Sequence, residues 1–251
     1  MLVLGGALLA SAPGCGSTAM PAARTTLYVA LGDSIAASVG ASSPATGYVG
    51  RLFSDFRRDL GVTRLSNRSV SGETSASIRA GGQLDRALGD INGSSDTRAV
   101  TIDIGINDLA TCRGKWSTCP FRRNLAATLS RLKAALGRDP GTERFVAMAY
   151  YNPASGRPGR GPIGRSYYAR ELLGSDARIS CDISAGPRVG LNDVIFQEAR
   201  RHGARVADSF PAFEADGRSL LSADGFHPSD AGHAAIAAAF RRPSSRCLPD
   251  L

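Results

Sequence analysis

Lysine is almost missing from this sequence: Lys115 and Lys133 are the only ones among 30 basic side chains. The arginines behind the formal charge of +8 are scattered, and aromatic residues, 6% of the chain, are not interleaved with them. A single-strand nucleic-acid binder needs a basic track lined with stacking rings, so that class is excluded. The positive balance favours anionic surfaces such as acidic glycans or lipid headgroups without naming one, and its plain alternative, the stronger of the two, is a solvated surface. Histidine is scarce too, so an imidazole base has three candidates, His202, His227 and His233. No G-x-S-x-G occurs, which excludes a nucleophile elbow built on that motif. The apolar run MLVLGGALLASAPG, residues 1–14, is too short to span a bilayer as a mature helix.

That run, followed by small residues, reads as a signal-peptide core, although the usual positive n-region is missing. In SAPGCGSTAM, Cys15 resembles the cysteine of a bacterial lipobox, acylated after cleavage; Ala12 stands where that motif usually has leucine. Cleavage near Ala19 or Ala23 is the competing reading. Residues 1–24 are therefore expected to be a leader and short linker, and 25–251 a single domain, since 251 residues with 43% hydrophobic composition can bury one large core. Without Cys15 the cysteines are an even set, Cys112, Cys119, Cys181 and Cys247, which fits two disulfides and an extracytoplasmic location, secreted or lipid-anchored. Proximity pairs Cys112 with Cys119 around RGKWST and leaves Cys181 for Cys247, one of three connectivities. The spacing matches no usual zinc-ligand pattern, so no metal is expected.

Five short β-branched or apolar runs end in glycine or polar residues: TLYVALG, TRLSNRSV, AVTIDIG, RFVAMAY and ARVADSF. Between them lie helical periodicities, Val49 to Leu60, Leu125 to Leu136 and Leu191 to Ala199, and a last helix is expected after Ser229 as N-cap. Alternating strands and helices of this length predict βαβ units around a parallel sheet. Residues 152–168, NPASGRPGRGPIGRSYY, read as an exposed loop. The literal G-x-G-x-x-G there (Gly159, Gly161, Gly164) lies well past the strand and is interrupted by Pro158 and Pro162, so it is no dinucleotide fingerprint.

Ser34, in YVALGDSIAASVG, follows the first strand and precedes an expected helix. Its hydroxyl would stand at the carboxyl edge of the sheet, where open α/β sheets bind ligands, with a helix amino terminus beneath it. The plain alternative is a helix cap. The second and third strands end at SVSGETS and DIGINDL, bringing the N–H of Gly72 and the side-chain amide of Asn107 to the same edge. With the N–H of Ser34 they make three donors fit for an oxyanion; singly, each is an ordinary turn or loop residue. His202 closes an amphipathic helix and His233 lies inside the last one, where it packs or caps locally. His227 sits in SADGFHPSD with Asp224 three residues upstream, a spacing that lets the carboxylate hold one ring nitrogen while the other faces Ser34.

GDS at 32–34, the glycine of VSGET at 72, GIND at 105–108 and DGFH at 224–227 resemble, in order, the four blocks of the SGNH (GDSL-type) hydrolases. YYNP and the cysteines beside the third block are similar to those of secreted bacterial members; Ser38 departs, where many relatives have glycine. The resemblance implies a flavodoxin-like three-layer α/β/α sandwich with about five parallel strands. It implies ester hydrolysis without metal or cofactor, with Ser34 as nucleophile, His227 as base, Asp224 as its partner and Ser34, Gly72 and Asn107 as oxyanion donors. A small-molecule, lipid or glycan ester is the expected substrate, and a monomer the expected state. The same residues would serve a polysaccharide O-acetyl esterase or an acyltransferase, and the fold could survive as an inactive cell-surface binding module. Loops 41–47, 110–120 and 152–190 would carry specificity, and Tyr150, Tyr151 and Asn152 would either line the acyl or sugar pocket or simply pack.

Overall fold

A computed structural model describes residues 25–137, 144–155, 162–174 and 189–244. Each of the five expected runs is a strand: β1 (Leu27–Gly32), β2 (Arg64–Asn67), β3 (Thr97–Asp103), β4 (Arg144–Ala149) and β5 (Arg205–Asp208). They form one sheet in the order β2-β1-β3-β4-β5, all pairs parallel. Every residue of β1 is buried, and so is nearly all of β3 and β4, as a parallel sheet covered on both faces requires. The β2 edge is more open.

Helices α1 (Tyr48–Asp59), α2 (Ser77–Ala80), α3 (Gln83–Asn92), α4 (Leu109–Cys112), α5 (Pro120–Leu136), α6 (Pro162–Leu173), α7 (Leu191–Arg201), α8 (Phe210–Leu220) and α9 (Asp230–Arg241) complete the described elements. On one side α1 packs on α9, which also meets α8 and β5; on the other, α3 packs on α5, α5 on α7 and α7 on α6, with α3 against β1 and α7 against β4 and β5. The result is a flavodoxin-like three-layer α/β/α sandwich. Its strand order reverses between β1 and β3, the switch point where a crevice opens at the carboxyl edge.

Two local expectations are corrected. No helix follows Ser34 directly: residues 34–40 run through turns, with Ala37 N–H bonded to Asp33 C=O and Val39 N–H to Ser34 C=O, and α1 begins only at Tyr48. Asp33 and Asp103 capture the N–H groups of Ile35 and Ala36, which a regular first turn would have aimed elsewhere. The stretch 152–168 is not all loop, because Pro162 opens α6 as a first-turn proline, with Gly164 inside that helix; Gly159 and Gly161 lie outside the described residues. Of the two readings of Tyr150, Tyr151 and Asn152, packing agrees with the structure: each is at most 2% exposed, an interior group. The expected N-cap stands: Ser229 Oγ accepts the N–H of Gly232.

Cys112 and Cys119 are disulfide-bonded, with Cα atoms 5.4 Å apart. Cys15, Cys181 and Cys247 lie outside the described residues, as does the whole leader and linker, residues 1–24.

Candidate active site

The turn after β1 holds Ser34 nearly buried at the carboxyl edge of the sheet. Its Oγ lies 2.9 Å from His227 Nε2, and His227 Nδ1 lies 2.6 Å from Asp224 Oδ2, so three residues from two distant segments form one hydrogen-bonded chain. The His227 loop is built as a narrow hairpin: Ser222 N–H donates to His227 C=O, Ser229 N–H to Leu220 C=O, and Gly225 takes the left-handed turn between them. Asp224 Oδ1 accepts the N–H groups of Phe226 and His227 and the hydroxyl of Ser222. Partial burial opposes the charge on Asp224, but the hydrogen bonds from Phe226, the His227 ring, Ser222 and the His227 backbone outweigh it and hold the carboxyl well below its usual range. An ionised Asp224 fixes the Nδ1–H tautomer, which leaves the Nε2 lone pair facing Ser34.

Gly72 occupies the third position of a turn closed by Glu73 N–H on Val70 C=O, with φ +81°, a conformation that favours glycine. Space is open in front of it: a Cβ there would meet nothing within 4 Å. Val70 N–H donates to Gly32 C=O, which docks this turn against the end of β1. Asn107, in a 3₁₀ turn after β3 (Ile106–Asp108), donates one amide hydrogen to Glu73 C=O at 2.8 Å, and the other has no protein acceptor among the described residues. Asp108 beside it accepts both the hydroxyl and the N–H of Ser75, so GIND grips the Gly72 loop at two points. The N–H groups of Ser34 and Gly72 donate to no protein group among the described residues. The three donors named from the sequence thus stand at the ends of adjacent strands.

A buried polar layer beneath Ser34 was not named from the sequence. Gly32 accepts close approach here, since a Cβ would fall 1.5 Å from Asp103 Oδ1. Asp103 Oδ1 accepts the hydroxyl of Tyr48, Asp33 Oδ2 accepts that of Tyr150, and the two carboxyls are hydrogen-bonded to each other. Burial pushes Asp33 up to about 6 despite its hydrogen bonds, and burial together with the Asp33 charge pushes Asp103 well above the carboxylate range. Two adjoining buried carboxyls therefore favour sharing one proton over ionising together. Gln83, at the start of α3, bonds both the N–H and C=O of Gly32 and donates to Glu73. An acidic residue inside the apolar run AVTIDIG was a visible signal for Asp103; nothing local marked Gln83.

The other histidines stand apart. His202 closes α7 beside Glu198, at 3.8 Å. His233 is fully buried, accepting Tyr48 N–H at Nδ1 and lying 3.1 Å from Val39 C=O at Nε2, so it is a neutral strut between α9, α1 and the Ser34 turn. Burial lowers its pKa.

Solved structures share the fold. A lipase from a goat rumen metagenome is 20% identical, over 87% of this chain and 97% of that one, with a TM-score of 0.53. An α/β hydrolase from the metagenome of Lake Arreo, Spain, is 23% identical over 90% and 98%, at 0.55. An acetylxylan esterase from Geobacillus stearothermophilus is 21% identical over 86% and 92%, at 0.52. No curated protein matches the sequence. The model of the GDSL-like lipase/acylhydrolase family matches residues 30–235, a span that begins just before the Ser34 turn and ends past the His227 loop. On that match, which takes in all four sequence blocks, the chain belongs to the GDSL-like lipase/acylhydrolase family, the SGNH hydrolases.

Proposed function

We propose that this chain hydrolyses carboxylic esters through an acyl-enzyme on Ser34. His227 Nε2 takes the Ser34 proton as Oγ attacks the ester carbonyl carbon, and the N–H groups of Ser34 and Gly72 with the Asn107 amide hold the developing oxyanion. The imidazolium, steadied by Asp224, then protonates the departing alkoxide. Water repeats the sequence on the acyl-enzyme: His227 deprotonates it, the oxyanion forms again, and Ser34 leaves with the proton while the acid is released. The observation that carries this reading is the Ser34–His227–Asp224 chain at 2.9 and 2.6 Å, with unused N–H donors beside it.

The net positive charge of the chain and the lipase and acetylxylan esterase among similar folds support lipid or glycan esters as the substrate class. The Cys112–Cys119 bond supports an extracytoplasmic location. An inactive binding module has no need of a hydrogen-bonded serine, histidine and carboxylate, and the intact chain weighs against it. Ser34→Ala should abolish turnover of a short-chain nitrophenyl ester and leave the circular dichroism unchanged. Retained activity would place the nucleophile elsewhere.

A further inference from the structure

Two adjacent tyrosines leave the end of β4 and reach opposite halves of the site. Tyr150 donates its hydroxyl to Asp33 Oδ2 at 2.8 Å, and Tyr151 donates its own to the C=O of Phe226 at 2.9 Å. Asp33 immediately precedes Ser34, and Phe226 immediately precedes His227. Successive side chains on extended backbone point to opposite sides, so a dipeptide is the shortest unit that can hold two facing loops.

The dipeptide is itself fixed. Asn192, buried on α7, accepts the N–H of Tyr150 and donates to its C=O, at 2.8 and 2.9 Å. Ser209, after β5, bonds the C=O of Ala149 just upstream with both its hydroxyl and its N–H. The Tyr151 ring stacks on Phe213 of α8 at 4.0 Å between centroids, and both tyrosine side chains are fully enclosed. Ser34 and His227, by contrast, lie on irregular backbone, the turns 34–40 and the hairpin at 220–229.

We propose that Tyr150 and Tyr151 are positioning residues that set the separation of Ser34 from His227, each tethering the residue just before one member of the pair. The proposal rests on the roles given to Ser34 and His227 above. Burial, then the nearby charge of Asp33, pushes both phenols well above their ordinary value, so they remain donors throughout the working pH range.

The test is Tyr150→Phe and Tyr151→Phe, each removing one hydroxyl and keeping the ring. The control is Tyr28→Phe, which loses an equally buried hydroxyl bond, to Thr101 at 2.8 Å in the strand interior. A nitrophenyl ester gives kcat and KM, a fluorophosphonate probe gives the labelling rate of Ser34, and thermal melting gives stability. The expected result is a fall of about ten- to a hundredfold in kcat and in labelling rate for either variant, the scale of a small misplacement. KM should stay within about twofold, and Tyr28→Phe should keep wild-type kcat at a similar loss of melting temperature. Losses at 150 and 151 no larger than that of Tyr28→Phe overturn the proposal. Either tyrosine variant, folded, is decisive alone. Turnover surviving Ser34→Ala is a separate outcome, which removes the reading of Ser34 and the proposal with it.

Discussion

Two residues show how much of this site depends on single backbone positions. Ser38 is the only non-glycine with positive φ among the described residues, at +66°, which explains why glycine suits this position in many relatives. A side chain in the left-handed region costs about 1–2 kcal/mol, offset in part by the freedom glycine regains when unfolded. Ser38→Gly should therefore raise stability by about 0.5–1 kcal/mol in urea unfolding. An unchanged or lower midpoint would mean that the strain is relieved some other way. Asn107 has the opposite character, a loop residue whose side chain is proposed to do chemistry. Asn107→Ala should lower kcat by about 10²- to 10³-fold with little change in KM, since an oxyanion donor acts in the transition state. A loss confined to KM would assign Asn107 to ground-state binding.

At the scale of elements, the disulfide and α6 cooperate. Cys112 ends α4 and Cys119 caps α5, and the loop between them is held from outside: Glu171 of α6 accepts both the Trp116 indole N–H and the Gly114 N–H on one carboxylate oxygen. Trp116 is 1% exposed and meets Phe121 edge to face. Closing so short a loop covalently is worth about 2 kcal/mol in the chain-entropy model. Replacing both cysteines by alanine should cost about that much in chemical denaturation, with kcat within a few fold because no catalytic group lies in the loop. A much larger loss of kcat would tie this loop to the substrate. The pairing was legible from proximity in the sequence; α6 was not. Its proline and glycine match turn chemistry, and what favours helix there is contact with α7, a tertiary term. α8 hid for a similar reason, since it is kinked at Asp216 and has no clean helical repeat.

For the molecule as a whole, the buried acids and the buried histidine set opposing pH limits. Asp33 and Asp103 are raised in the fold, so above about pH 3.8 the native state keeps protons that the unfolded chain releases. Their contribution is full below that point and is lost as pH climbs through the folded values. His233 is lowered from 6.5, so its contribution is present above that value and lost as pH falls. Asp224 and Asp90, lowered by their hydrogen bonds, add to the acid limit. Wild-type stability should therefore decline on the alkaline side with a slope of up to about 1.4 kcal/mol per pH unit from the one shared proton. Asp103→Asn cannot lose that proton. It should flatten the slope across urea midpoints at pH 6, 7, 8 and 9, while lowering stability overall because one acceptor for Ala36 or Tyr48 is gone. An equal slope in both proteins would place the titration elsewhere.

The sequence by itself determined the five strands, the principal helices and the order in which Ser34, Gly72, Asn107, Asp224 and His227 arrive. Those are local properties: periodicity, turn chemistry and short spacings are written within a few residues. Only the tertiary structure decided that β1 lies between β2 and β3, that a run of turns takes the place of a helix after Ser34, and that Tyr150, Tyr151, Gln83 and Asp103 reach the site. The reason is distance along the chain. A buried hydroxyl, amide or carboxyl takes whatever partner the packed layers bring to it, and here those partners lie 51 to 117 residues away.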